Sequence, residues 1–140
     1  MSRITEIFKT MEYGPAPEAA SPAQTWLTEH QRQFGHFING TFTPHVAERA
    51  FDAVNPANAN IIAKLTQANA DEVNVAVEAA TKAFETWANT PGHVRARYLY
   101  AIARHIQKHS RLFAVLETLD NGKTIRETRD IDIPLVARHF

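Results

Sequence analysis

The 140-residue chain contains no cysteine, which excludes disulfides, thiolate metal ligands and a cysteine nucleophile anywhere within it. It carries no excess of either charge, fifteen Lys and Arg facing fifteen Asp and Glu. Proteins that track phosphate backbones or anionic lipid have a basic surplus, so neither nucleic acid nor a membrane surface is expected as a partner. Glycine is sparse, five residues that never cluster, and no G-x-G-x-x-G or P-loop is present to cradle phosphates. No apolar run approaches the roughly twenty residues of a bilayer span. The opening MSRITEIFKT spreads its charges where a secretory leader would be apolar, so the expected location is cytoplasmic.

What is present is helical periodicity. From Val94 to Thr124, Leu99, Ile102, Ala103 and Ile106 recur at helical spacing, and Leu112, Phe113, Leu116 and Leu119 resume the stripe after Ser110, the expected cap of a second segment. Gly122 follows the last apolar residue, where a left-handed glycine closes a helix. Upstream, Asn69-Ala70-Asp71-Glu72 reads as a capping box, and Val73, Ala76, Val77, Ala80, Phe84 and Trp87 then share one face until Asn89 to Gly92 breaks the pattern.

Ile4, Ile7, Phe8 and Met11 predict a short amphipathic helix, ended by a linker at Tyr13-Gly14-Pro15-Ala16-Pro17. Ser21-Pro22-Ala23-Gln24 predicts a helix capped by the serine, with Trp26 and Leu27 facing inward. The period then changes to two. His36 to Phe42 reads as a hairpin around Asn39-Gly40, and further extended pieces at Arg49 to Val54 and Ile61 to Thr66 complete a small antiparallel unit that needs a helical layer over it. Thr124-Ile125-Arg126-Glu127 is a second capping box, and Asp130 or Asp132 is the expected start of a last helix with Pro134 in its first turn. That helix presents Leu135, Val136 and Phe140 without a stop signal, which reads as a fragment of a longer protein.

Self-contained chemistry is absent from these patterns. His105 and His109 are four apart on a helix, but no glutamate adjoins the first and Lys108 lies between them, so a solvated face is the reading rather than zinc. Arg95, Arg97, Arg104, Lys108 and Arg111 likewise read as a solvated basic side. Asp130 and Asp132 read as caps rather than an acid–base pair.

Six segments in order nonetheless resemble the amino-terminal part of an aldehyde dehydrogenase: FINGTF at Phe37 to Phe42, FDAVNPAN at Phe51 to Asn58, the IIAKL strand, DEVNVAVEAATKAFETW at Asp71 to Trp87, RARYLYAIARHI, and LETLDNGKTIRETRDIDIP at Leu116 to Pro134. MEYGPAPE at Met11 to Glu18 resembles the opening of the sixteenth aldehyde dehydrogenase family. The resemblance implies an α/β fold present only as its amino-terminal segment, a hairpin unit plus helices of the cofactor-binding domain. It divides the chain into a helical lead at 1–34 and the start of the NAD-binding domain at 35–140, with the hairpin unit at 35–66 and helices at 69–140.

Family members oxidise aldehydes with NAD or NADP through a cysteine thiolate and a glutamate-activated water. The resemblance places those groups, and the cofactor contacts, beyond the point matching Phe140, so catalytic and cofactor-binding residues are expected to be none within this chain. It implies an aldehyde substrate and a homodimer for the longer protein. It also carries over one metal site, a monovalent cation held by backbone carbonyls at Ala53 or Val54 and by the Asp120 carboxylate. Two other readings stand beside it: a non-catalytic scaffold with a dehydrogenase fold, and a complete helical interaction module docking through its last helix.

Overall fold

The computed structural model describes residues 3–11, 16 and 19–140. Of the expected linker at 13–17, only Ala16 is among them, and the MEYGPAPE segment lies almost wholly outside them. The first elements are α1 (Arg3–Thr10) and α2 (Ser21–Glu29). α1 forms where its periodicity places it, and its apolar residues Ile4, Ile7 and Met11 stay exposed. Ser21 does not cap α2. It is the first helical residue, the preceding Ala20 is already close to helical (φ −71°, ψ −17°), and no side chain caps the helix.

A left-handed pair, Gln31 and Arg32, both at φ 55°, turns the chain out of α2. Arg32 then ties that turn to a sheet. Its Nη1 donates to the Ile62 carbonyl (3.0 Å), its Nη2 to Gln24 Oε1 (2.6 Å), and its own carbonyl accepts from Lys64 N–H (2.8 Å). The sheet has the order β1 (Gln33–Phe34), β5 (Ile61–Thr66), β4 (Ala50–Val54), with β1 parallel and β4 antiparallel to β5. A separate two-stranded sheet pairs β2 (Phe37–Ile38) with β3 (Thr41–Phe42). Both antiparallel pairs form as expected, but in two sheets, and the parallel strand β1 has no counterpart in the sequence reading. Asn39 (φ 53°) and Gly40 (φ 78°) are both left-handed, the requirement of a two-residue hairpin turn that follows the strand twist.

The helices are α3 (Ala70–Asn89), α4 (Gly92–Lys108), α5 (Ser110–Asn121), α6 (Ile125–Glu127) and α7 (Ile133–Arg138), with a π turn at Thr128–Asp132 between the last two. The capping box on α3 is complete: Glu72 N–H donates to Asn69 Oδ1 (2.9 Å) and Asn69 N–H to Glu72 Oε2 (3.0 Å). Asn69→Ala is expected to cost about 1 kcal/mol through loss of the cap, read as an earlier unfolding midpoint.

The remaining capping expectations need correction. His109, not Ser110, precedes α5, and a single residue joins it to α4. Thr124 Oγ1 accepts from Glu127 N–H (3.4 Å), but the Glu127 carboxylate turns to Lys123 (3.8 Å), so only half a box is made. Asp132 stands at the start of α7 with Pro134 in its first turn, as expected, but makes no capping bond, because the backbone is already helical through Asp130 and Asp132. Thr128 stabilises this passage from full burial, bonded to the Ile125 carbonyl (3.1 Å) and to Thr118 Oγ1 (2.9 Å).

The core is small. Leu27, Ile62 and Ala63 are buried together, with Trp26, Phe34, Leu116 and Leu119 packed around them, so α2, the sheet and α5 share one apolar centre. α4 packs on α7, and the buried Ala103 and Ala137 keep side-chain bulk low on these two helices. α3 differs. Its periodic face forms, yet Val73, Val77 and Phe84 are 51%, 58% and 63% exposed and none of its residues is buried. Among the described residues that apolar stripe has no covering layer, and its ring contact is Trp87 with Tyr98 of α4 at 6.0 Å.

Candidate cation site and its acidic surroundings

Strand β4 ends in a register shift between Ala53 and Val54, and Asn55 starts a turn by accepting Ala57 N–H at its Oδ1 (2.9 Å). The turn returns at Asn60, whose carbonyl accepts Asn55 N–H (2.9 Å). Pro56 at its tip meets the end of α5. Gly122 closes that helix in the left-handed region (φ 78°), and a β-carbon there would lie 2.8 Å from Pro56 Cγ. Glycine is needed on both counts.

Ala53 and Asp120 line a common cavity of about 470 Å³, together with Glu117, Leu116, Ile62 and Ile133. Val54 is outside that lining, so Ala53 is the β4 residue that the structure sets with Asp120. Asp120 is exposed on the last turn of α5.

The surroundings are acidic. Burial, and then the neighbouring Asp132 carboxylate, push Glu117 above the usual carboxylate range. Lys123 is engaged by Asp132, Nζ to Oδ2 at 2.7 Å, and this hydrogen bond raises the lysine above its ordinary value. Asn121 Nδ2 donates to Glu117 Oε1 (3.3 Å). The cavity wall therefore presents the Asp120 and Glu117 carboxyls among mostly apolar side chains, while the nearby Lys123 ammonium is held by Asp132. Among the described residues no three His, Cys, Asp or Glu side chains group as metal ligands, so any cation here relies on carbonyls with one carboxylate. His105 and His109 have ring centroids 4.8 Å apart and no third ligand.

A second polar centre was not foreseen. Arg49 makes a bidentate pair with Glu72, Nη1 to Oε2 at 2.6 Å and Nη2 to Oε1 at 2.9 Å, while Nη1 also donates to the Gln67 carbonyl (2.8 Å). The Arg49 hydrogen bond and the Asn69 amide hold Glu72 down at about 2. Its sequence signal was local, the capping box, and nothing pointed to a partner 23 residues upstream. Because the folded value lies below the ordinary one, the pair contributes fully above about pH 4.5 and its contribution fades as pH falls toward about 2. Acid titration of unfolding is expected to show Glu72→Gln less stable at neutral pH and flatter than the parent across that window.

Among the described residues no catalytic set appears. The chain has no cysteine, and its glycines supply no phosphate cradle. No helix among the described residues is long and apolar enough to cross a membrane.

Residues 42–140 match the aldehyde dehydrogenase family. An acetaldehyde dehydrogenase of Pseudomonas aeruginosa is 39% identical over 108 residues, 77% of this chain and 21% of that protein. The crystal structure of HpcC from Thermus thermophilus superposes with a TM-score of 0.78 at 29% identity, covering 90% of this chain and 25% of its own. Aldehyde dehydrogenase C from Pseudomonas syringae, solved as a variant with NAD+ and octanal, superposes with a TM-score of 0.72 at 30% identity, covering 79% of this chain and 22% of its own. The chain thus spans about a fifth to a quarter of the length of these proteins. With the family pattern running from the hairpin to Phe140 and the fold following it, this chain belongs to the aldehyde dehydrogenase family.

Proposed function

We propose that these residues are the opening layer of an NAD(P)-dependent aldehyde dehydrogenase, a longer protein that oxidises aldehydes to carboxylic acids. The observation that carries this reading is the family match over residues 42–140 in a chain spanning 21% of a relative named acetaldehyde dehydrogenase. The cofactor would accept hydride when bound. The chain has no cysteine, and the described residues group no acid–base pair; the part assigned to it in this reading is structural, with residues 1–34 as a lead and residues 35–140 as the start of the cofactor-binding domain. The exposed stripe of α3 supports this, since a face of that size is stable only when covered.

The finer assignments belong to the same reading: the sixteenth family, supported by the MEYGPAPE opening alone, a homodimer, which the resemblance to the family implies, and a cytoplasmic location, read from the charges spread through the opening residues. The full-length protein should reduce NAD+ or NADP+ when given unbranched aliphatic aldehydes, a panel taken from the relatives' named substrates. Folded full-length protein that turns over none of them with either cofactor would overturn the enzyme reading in favour of the non-catalytic scaffold.

A monovalent cation completes the proposal, held by the Asp120 carboxylate and the carbonyl of Ala53 or Val54. Glu117 and Asp120 on the cavity wall support it. In the full-length protein, potassium or sodium is expected to raise the unfolding temperature of the parent and to leave Asp120→Asn unmoved.

A further inference from the structure

His36 stands where the β2–β3 hairpin meets the start of α3. Its Nε2 is buried without a hydrogen-bond partner and lies 3.8 Å from Glu72 Oε2. A buried ring nitrogen left unpaired is destabilising, and neither neutral tautomer relieves it. With the proton on Nδ1, the Nε2 lone pair faces a carboxylate; with the proton on Nε2, the N–H stops short of hydrogen-bonding distance.

Glu72 has room for one more donor. Its Oε2 already accepts from Arg49 Nη1 and Asn69 N–H, whereas Oε1 accepts only from Arg49 Nη2. At about two lone-pair positions per oxygen, the nearer Oε2 is filled and one position remains on Oε1, so the added donor has to turn from Oε2 to Oε1 of the same carboxylate.

We propose that His36 is a proton-operated latch: protonated, it donates from Nε2 to the Glu72 carboxylate and draws the hairpin onto the first turn of α3, and neutral, it lets the hairpin stand off. The charges around it set the balance. The charged groups at the ring are the Glu72 carboxylate and, paired to that carboxylate, the Arg49 guanidinium, while Asp71 shares the neighbouring cavity with Glu72. His45 is engaged by Thr66 Oγ1 (3.1 Å), and the hairpin from Phe37 to Thr43 carries no charge. What moves is small and defined. Between the hairpin and α3 lies a cavity of about 370 Å³ lined by Ile38, Thr41, Asn69, Asp71, Glu72 and Val75, and closing the latch narrows it.

The test is hydrogen–deuterium exchange of residues 36–43 in the full-length protein, at about pH 5.5 and about pH 8, either side of the histidine range, with rates corrected for intrinsic exchange. Protection is expected to be about tenfold greater at the acid pH, the size of one added charge-assisted hydrogen bond, with the difference lost in His36→Gln and kept in His45→Gln. Equal protection at both pH values overturns the latch, and so does a difference that survives in His36→Gln. Should the variant not fold, ring-labelled His36 read by NMR decides alone: a signal that does not titrate between those pH values refutes the proposal.

Discussion

Leu27→Ala is expected to lower stability by about 2–5 kcal/mol, the range for removing a large aliphatic side chain from a packed site. Leu27 is 3% exposed and shares its cluster with Ile62 and Ala63. The surrounding elements have little freedom to collapse into the vacated space. Arg32 fixes the end of α2 to β5 through the Ile62 carbonyl, and its own carbonyl fixes β5 through Lys64. The effect should appear as a large fall in the denaturant midpoint. A fall as small as that of a surface substitution would show that α2 is not part of the core.

Gly35→Ala is expected to do comparable damage from a different cause. A β-carbon at Gly35 would collide with the Thr43 carbonyl and would lie 2.8 Å from both the Pro44 carbonyl and Thr43 Oγ1. Backbone atoms cannot swing aside as a side-chain end can. The two segments here are held by Thr43 N–H donating to the His36 carbonyl (2.7 Å) and His36 N–H donating to Thr43 Oγ1 (2.8 Å). Overpacking costs about 1–3 kcal/mol, and each lost hydrogen bond about 1 kcal/mol more. Deuterium exchange should report faster labelling of residues 36–43 together with a lower unfolding midpoint. An unchanged hairpin in Gly35→Ala would refute the close approach.

Features governed by a few neighbouring residues were legible from the sequence. Asn39-Gly40 announced its turn, Asn69 and Glu72 their capping box, and Gly122 its left-handed stop, because each satisfies a requirement met within four residues. Caps failed where the chain arrived already helical. At Ala20 and at Asp132 the backbone is in or near helical geometry, whereas a side chain that bonds the free amides of a helix's first turn sits on an extended backbone. β1 was missed because two residues cannot show a period, and its pairing is set by the Arg32 turn.

Tertiary partners were least legible. The period of α3 located its apolar face correctly but said nothing of what covers it, and the described residues do not. At the candidate site, resemblance supplied Asp120 and the choice of Ala53 or Val54. Glu117 and the Lys123–Asp132 pair emerged only when the end of α5 met the π turn at Thr128–Asp132. Arg49 and Glu72 are separated by 23 residues, beyond any spacing rule.

The claim that this chain is a scaffold layer is tested most directly by hydroxyl-radical footprinting of Phe84 and Trp87 in the native full-length protein, with the same protein unfolded in urea as reference. The account predicts strong protection of both rings in the native protein, because the stripe exposed on α3 here would be buried against the remainder of the domain. Labelling of both rings as fast as in the unfolded protein would contradict it.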